Sequence, residues 1–506
     1  MKNKILAAGL FITLLVMTGC NKFDEINTDP DTTTQVSASM MCTGIILDVA
    51  KFGGRDAKAY ISEDALSKYV GYADEGQLGE QYNLIGSKDF GPMTILPNIE
   101  KMLEYAKGGV MENSYKGVAE FTKAYTFFIL TMQMGDVPYS QAGNGNTGDY
   151  RPVYDQQKYI FKAILDGLKA ADQDFANGVQ FSGDPTPFNG DPVKWRQATN
   201  AFALKVLMTL SSKEADADLN VKTRFAGIVG ANNLFTNPNS FFGLVYSSQN
   251  PHPLSGTNNL FTSRTLMSSL VIDSLKNLND RRMYYYAEPS AAQIAGGKTP
   301  DDPSAYVGVD VSMDYSAMNA GYSANTYSLI NNRYLAEQTS DPRMLISYAE
   351  QQLIIAEGIV RGWISGTAQD YYQTGVSAAL TYLMNTKSSY AHGMAIDQNY
   401  INNYFTGDAA FRTSQADQLK QIWLQRYLLN FMQNAESSYF EYRRNHFPEF
   451  PINPATSMNA NNPNAVPMRW LYPGSETNYN RANLIDALNR QYDGFDDINK
   501  LMWLLK

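Results

Sequence analysis

The stretch DPRMLISYAEQQLIIAEGIVRGWISGTAQDYYQTGVSAALTYLMNT (residues 341–386) decides the fold. Within it Leu345, Tyr348, Gln352, Ala356, Ile359 and Trp363 recur every three or four positions, the spacing that lines residues along one side of an α-helix. Asp341-Pro342 reads as the start of that helix, an N-cap residue followed by proline at the first helical position. Ser365-Gly366-Thr367 interrupts the pattern, and Tyr372, Val376, Ala379 and Leu383 resume it as a return helix. Two helices joined by a short turn form an αα-hairpin. Its extent, about 342 to 386, has the helix, turn and helix layout of a tetratricopeptide-like repeat, although most consensus positions of that repeat are absent.

The same periodicity dominates elsewhere. Ser114 to Met134 carries Val118, Phe121, Tyr125, Phe128 and Met132, with Ala124, Phe127 and Leu130 making its second half apolar almost all round, which predicts a central buried helix stopped at Gly135. A second helix runs through Ile160, Ile164, Leu168, Ala171 and Phe175, and a third, opened by Asp191-Pro192, through Trp195, Ala198, Phe202, Val206 and Leu210. A further helix covers roughly Gln415 to Asn434. Strand content is small, with Gly243 to Ser247 as the best candidate. Long irregular stretches at 71–97, 135–153, 232–265, 284–340 and 446–482 separate the helices, and loops of this length in a compact protein commonly carry function. The expected fold is mainly α, built of tetratricopeptide-like helix pairs with long irregular loops and little β structure.

The N-terminus has a different grammar. Lys2 and Lys4 precede an apolar run from Ile5 to Met17, followed by Thr18, Gly19 and Cys20. A membrane-spanning helix needs about 20 apolar residues, so this run reads as a signal peptide over 1–19, with the Cys20 thiol as lipid acceptor. An ordinary signal peptide with an incidental cysteine has the same apolar length. Residues 20–40, polar and acidic, read as a flexible tether. The rest, 41–506, reads as one helical domain with ligand-facing insertions at about 71–97 and 284–340.

Composition excludes several functions. The formal charge is −9, and −11 once Lys2 and Lys4 are removed, the wrong sign for nucleic acid. With Cys20 assigned to lipid, Cys42 has no cysteine partner and reads as a buried free thiol. His252, His392 and His446 stand at least 54 residues apart, and no zinc spacing is present. The run from Asp184-Pro185 to Asp191-Pro192 offers oxygens to calcium but lacks the D-x-D-x-D-G spacing, and capping by Asp191 explains it more simply. No cofactor is therefore expected. Gly143 to Gly148 matches G-x-G-x-x-G literally, yet a helix precedes it and Arg151-Pro152 follows, so it reads as a loop. No catalytic motif is visible, and nothing in the spacing of the 50 acidic residues locates a glycosidase pair. Arg443 and Arg444 read as structural groups at a helix end. Trp195, Trp363 and Trp423 lie on apolar helix faces, whereas Trp470 and the loop tyrosines are freer. Tyrosine is unusually abundant, 33 residues, and eight fall between Tyr284 and Tyr334 in a stretch without sustained helical periodicity.

Several segments together resemble the SusD/RagB family of outer-membrane lipoproteins, and its SusD-like branch in particular. They are Cys20 followed by FDEINTDPD (23–31), GDVPYSQA (135–142), WRQATNAFALK (195–205), Tyr348-Ala349-Glu350 with Ala356-Glu357, QRYLLNFMQNAESSYFEYRR (425–444) and RWLYPGSETNYN (469–480). The order holds from Cys20 to Lys506. Gln425 stands where the family commonly carries an acid before the arginine. The resemblance implies a non-catalytic nutrient-binding protein, lipid-anchored on the outer membrane and exposed at the cell surface, where Asp24-Glu25 resemble acidic export signals. It implies a role as the lid of a SusC-like TonB-dependent transporter, with oligosaccharide as the best-known ligand, peptide as an alternative, and a lipoprotein glycosidase as a third reading.

A sugar presents apolar C–H faces flanked by hydroxyls, so its site needs flat aromatic rings beside amide or carboxylate groups. Two loops have that mix: Tyr72, Asp74, Gln77, Gln81, Tyr82 and Asn83 in the first, and Tyr306, Tyr315, Tyr322, Asn325, Tyr327 and Asn332 in the second. The second is the better candidate. Contact with the transporter is the competing use for these tyrosines, which are also enriched at protein interfaces.

Overall fold

The computed structural model describes residues 36–53, 56–73, 76–256 and 263–506. The signal segment, Cys20 and Asp74 lie outside them. Fourteen of the longer helices are numbered here in chain order: α1 (Ala38–Ala50), α2 (Ala57–Leu66), α3 (Ile95–Ala106), α4 (Glu112–Met134), α5 (Gln157–Ala176), α6 (Pro192–Thr209), α7 (Val221–Ala231), α8 (Ser269–Asn277), α9 (Tyr315–Ser323), α10 (Tyr348–Val360), α11 (Ala368–Met384), α12 (Gln415–Asn430), α13 (Ala435–Asn445) and α14 (Arg481–Tyr492). Four short strands accompany them: β1 (Val70–Tyr72), β2 (Phe241–Leu244), β3 (Thr265–Met267) and β4 (Arg343–Ser347). β1 pairs antiparallel with β3, and β2 antiparallel with β4. The fold is mainly α, as the periodicity predicts.

The helices pack as a chain of neighbours. α4 lies on α5, α5 on α6, α6 on α7 and α10, and α10 on α11 and α12. The central helix α4 buries nearly its whole circumference, including Val118, Phe121, Phe127, Leu130 and Met134. Gly135 ends it with φ near +90°, and a side chain there would collide with the Tyr492 hydroxyl, 2.2 Å from where a Cβ would sit. The α10–α11 hairpin is equally close: a Cβ at Gly375 would lie 2.9 Å from the Ala349 carbonyl oxygen.

The two Asp-Pro signals have different outcomes. Asp191 caps α6, accepting from the Val193 amide, with Pro192 at the first turn. Asp184 organises the preceding turn, accepting from Trp195 Nε1 at 2.8 Å and from the Thr186 and Gly190 amides. Asp341-Pro342, by contrast, does not open a helix. Residues 343–347 are strand β4, and α10 begins five residues later under Ser347, which accepts from the Glu350 amide. Pairing with β2 claims the backbone, and the Asp341 carboxylate is held by Arg333 at 2.6 and 2.8 Å. Tertiary contacts thus override a local start signal. The stretch read as tether to residue 40 ends earlier, because Ser37 caps α1 and the helix begins at Ala38.

The interior contains charge as well as carbon. Arg426 contacts Glu441 at 2.8 Å and Glu357 and Glu350 at 3.4 Å, while Arg444 contacts Glu357 at 2.7 Å and Glu441 at 2.6 Å. Lys205 closes on Glu350 at 3.0 Å. Arg443 donates to the carbonyls of Met468 and Met132. The arginines at the end of α13 are therefore structural. Gln425 takes no part in balancing Arg426; it accepts from Arg282, which is paired with Asp280. Cys42 is a buried free thiol, with burial pushing its pKa far up. Trp195 and Trp363 are core residues, and Trp423 is half-buried. Trp470 is not free: it is buried, edge-on to Tyr439 and Phe440. Gly143 to Gly148 forms a short 3-10 turn rather than a phosphate cradle.

Candidate ligand-binding face

Beside the helical scaffold lies a layer assembled from the two tyrosine-bearing loops, which meet across more than 200 positions of sequence. The link begins at Lys68. This residue is 1% exposed, in a left-handed backbone conformation at φ 61°, and its ammonium donates to the Gln81 carbonyl at 2.6 Å, Asn83 Oδ1 at 2.8 Å and the Glu80 carbonyl at 3.4 Å. Burial lowers its pKa to about 7. A buried cation thus folds the 79–83 turn around itself, using neutral oxygens where a carboxylate is usual. Gln81 then ties that turn outward: its Oε1 accepts from the Tyr72 amide, and its Nε2 donates to the Val311 carbonyl at 3.1 Å. Tyr82 donates to the Met313 carbonyl at 3.0 Å.

The second loop answers with bonds of its own. Asn319 Nδ2 donates to the Ala73 carbonyl at 2.6 Å, and Tyr315 Oη accepts from the Gly76 amide at 3.0 Å. Asp314 caps α9 by accepting from the Ser316 and Ala317 amides. Beneath the junction Ala73, Leu266, Val309, Val311 and Met318 form a small apolar core separate from the main one, with Met313, Tyr322 and Tyr327 packed on its rim. Tyr315, Met318 and Tyr322 follow at three and four residues on α9, which places all three on the side facing that core. Tyr327 packs closely against Gly321, where an added Cβ would come within 2.3 Å of the ring.

The predicted residues separate accordingly. Gln77 and Asn325 are exposed, and Tyr315, Tyr322 and Tyr327 are half-buried. Tyr72, Gln81, Tyr82 and Asn83 are buried and support the face from below. Tyr306 is fully buried, edge-on to Tyr284 and bonded to the Pro300 carbonyl at 2.8 Å, so it presents no surface to a ligand. Asn332 is exposed, but its amide bonds Glu288, away from the face. Tyr284, Tyr285, Tyr286 and Tyr334 are also core residues, so five of the eight tyrosines in this stretch serve packing. Sequence reasoning missed Lys68, Met313 and Asn319. For Lys68 a signal existed, a lysine directly before the apolar Tyr69 and Val70.

Chemically the face offers flat rings beside amides, a combination suited to holding a ligand. Among the described residues no group of three or more His, Cys, Asp or Glu side chains is placed to hold a metal ion. Nor is any described helix long and apolar enough to cross a membrane.

A helical scaffold carrying an inserted, tyrosine-rich loop layer defines a class of all-helical binding proteins. The chain belongs to the SusD-like family: the family described as starch-binding and associating with the outer membrane matches residues 30–473. Its structure is similar to that of a SusD homologue from Bacteroides fragilis, with 38% identity, a TM-score of 0.89, and 93% of this chain and 100% of that chain covered. An outer-membrane protein of Bacteroides vulgatus, described in connection with nutrient binding, is 30% identical with a TM-score of 0.83 over 93% of this chain and 100% of its own. A chitin-binding SusD homologue from Flavobacterium johnsoniae, at 17% identity and a TM-score of 0.67 over 93% of this chain and 98% of its own, shares the fold. No match is found among curated protein sequences.

Proposed function

We propose that this protein captures oligosaccharide at the cell surface, anchored by lipid on Cys20, and acts as the non-catalytic lid of a SusC-like TonB-dependent transporter. The observation that carries the reading is the junction of the two loops, where Asn319 and Tyr315 bind the first loop and leave Tyr315, Tyr322 and Tyr327 at the surface with Gln77 and Asn325. Sugar C–H faces stack on such rings, and amides supply directional bonds to hydroxyls. Membership of a family described as starch-binding and associated with the outer membrane supports the ligand class and the location. Ligand held on this face would be enclosed against the transporter by a hinge motion and released inward when the transporter is energised.

A glycan and peptide array with the wild type and the Tyr322→Ala and Tyr327→Ala variants tests the ligand. Glycan binding that weakens about tenfold or more in either variant supports the reading. Peptide binding with no glycan signal replaces the ligand class, and unchanged glycan binding in both variants removes the face. Fractionation of a Cys20→Ala form tests the anchor, since a form still held in the envelope like its parent overturns lipidation at that residue.

A further inference from the structure

A second concavity lies on the scaffold. A cavity of about 540 Å³ opens between the α10–α11 pair, the returning segment 333–344 and the end of α12. Its volume falls within the range of about 300–1,000 Å³ usual for small-molecule sites. None of its lining residues belongs to the loop face: Gln77, Tyr315, Tyr322, Asn325 and Tyr327 are all absent from it.

The electrostatics of the lining select a class of ligand. Its charged members are Arg333, Glu337, Asp341, Glu350 and Lys387. Each is already matched. Arg333 and Asp341 share two bonds, Lys387 meets Glu337 at 2.6 Å, and Glu350 is held by Lys205 and Arg426. An ionic ligand would have to break the buried Arg333–Asp341 or Glu350 pairs, at the cost of leaving a charge unmatched, or compete for the more exposed Lys387–Glu337 pair. The walls are nonetheless not purely apolar. The buried Ser340 Oγ has no hydrogen-bond partner, and the amides of Asn239, Asn385 and Gln433 line the space. Rings, Tyr382, Tyr390, Phe241 and Phe431 among them, share the remaining wall with aliphatic groups such as Val245, Met344, Leu383 and Leu429. Tyr382 and Tyr390 are fixed through their hydroxyls, which donate to Asp341 at 3.1 Å and Glu337 at 2.8 Å. Rings held by their edges, beside neutral donors and acceptors, suit a molecule with C–H faces, several hydroxyls and no net charge.

We propose that this cavity is a second binding site, for a neutral mono- or disaccharide, built into the helical scaffold and independent of the loop face. One scaffold would then hold two ligand positions, one on the inserted layer and one against the helix pair.

Saturation-transfer NMR and titration calorimetry on the full mature chain test this, with maltose and N,N′-diacetylchitobiose as neutral probes and glucuronate as the charged one. Ala379→Trp fills the cavity from α11, Tyr390→Ala strips one wall, and the Tyr322→Ala/Tyr327→Ala pair disables the loop face. The expected result is neutral-probe binding that survives in the loop-face pair and weakens about tenfold or more in both cavity variants. Should Ala379→Trp fail to fold, Tyr390→Ala carries the test alone. The proposal is overturned by the absence of any neutral-probe signal, by loss of all binding in the loop-face pair, by unchanged binding in Tyr390→Ala, or by glucuronate binding as tightly as the neutral probes. Loss of the loop-face signal alone bears on the proposed function and leaves this site standing.

Discussion

The helical scaffold and the loop face are stabilised by different physics. In the scaffold, long apolar helices bury aromatic and aliphatic side chains together, and many of the interior charges answer one another, in the Arg426, Arg444, Glu350, Glu357 and Glu441 cluster and in the Arg282–Asp280 and Arg333–Asp341 pairs. The loop face has a five-residue apolar core and is joined mostly by side chains bonded to backbone, with one buried ammonium at its base. Scaffold geometry is thus fixed by many mutually dependent contacts, whereas loop geometry rests on a handful of separable ones. A surface of the second kind can change its ligand contacts without unsettling the first.

The sharpest way to break that contrast is at Glu357, which has no exposed surface and serves three arginines, Arg361, Arg426 and Arg444. Glu357→Gln leaves buried guanidinium charge unmatched and is expected to cost about 3–5 kcal/mol of global stability, read by chemical denaturation. Ligand affinity below the transition should not change. Burial favours the neutral acid here, but Arg444 and its fellow arginines prevail and hold the carboxyl down to about 2. Its folded value lies below the unfolded one, so its contribution is complete above about pH 4.3 and is lost as pH falls toward 2. Wild-type stability should drop over that window more steeply than that of the variant.

Next in size is Lys68→Met, which strands three oxygen acceptors under the loop face and is expected to cost about 1–3 kcal/mol. Hydrogen exchange should accelerate at residues 79–84 while α4 stays protected; equal acceleration in both would erase the distinction between the two regions. The same residue gives a pH signature of the same sign in a different window. Its folded pKa near 7 lies below the unfolded value of about 10.4. The unfolded chain therefore binds more protons between these values, and the Lys68 contribution rises with pH across that window. Subtracting the Lys68→Met profile from the wild-type profile isolates it, and a flat difference would refute it. The smallest expected effect on stability is at Tyr322→Ala, a half-buried rim position, at about 1 kcal/mol or less. A larger loss would place Tyr322 with the scaffold rather than the face.

Legibility in the sequence divides along the same line. Helices α4, α5, α6, α11 and α12 are long amphipathic or all-apolar patterns whose period dictates their conformation, and most residues predicted for them are buried, with Ala379 and Trp423 half-buried. Helices α1 to α3 escaped notice, α1 because its apolar residues form no distinct stripe. Asp191-Pro192 and Asp341-Pro342 are the same dipeptide with opposite outcomes, since what decides between them is Arg333 and strand β2, both remote or unremarkable in a linear reading. For the loop face, composition pointed to two segments that the fold brings together, with Gln77 and Asn325 exposed and Tyr315, Tyr322 and Tyr327 half-buried. It could not separate a surface tyrosine from a core one: Tyr306 and Tyr322 look alike in the chain, and only three-dimensional packing buries the first. Lys68 shows the converse, a charge whose partners are two backbone carbonyls and the Asn83 amide oxygen, so that no residue of opposite charge marks it in the sequence.

The ladder between β2 and β4 has a consequence for how such proteins diversify. Phe241–Leu244 and Arg343–Ser347 hold positions 245 and 342 side by side at one doorway, while the segment between them shares the main core through Tyr284, Tyr285, Tyr286 and Tyr334. The entropic charge for a longer excursion grows only by about 0.6 kcal/mol per doubling of length. Descendants could therefore lengthen or exchange the exposed loops of that segment, whereas Tyr284 to Tyr286 and Tyr334, which belong to the main core, would have to stay.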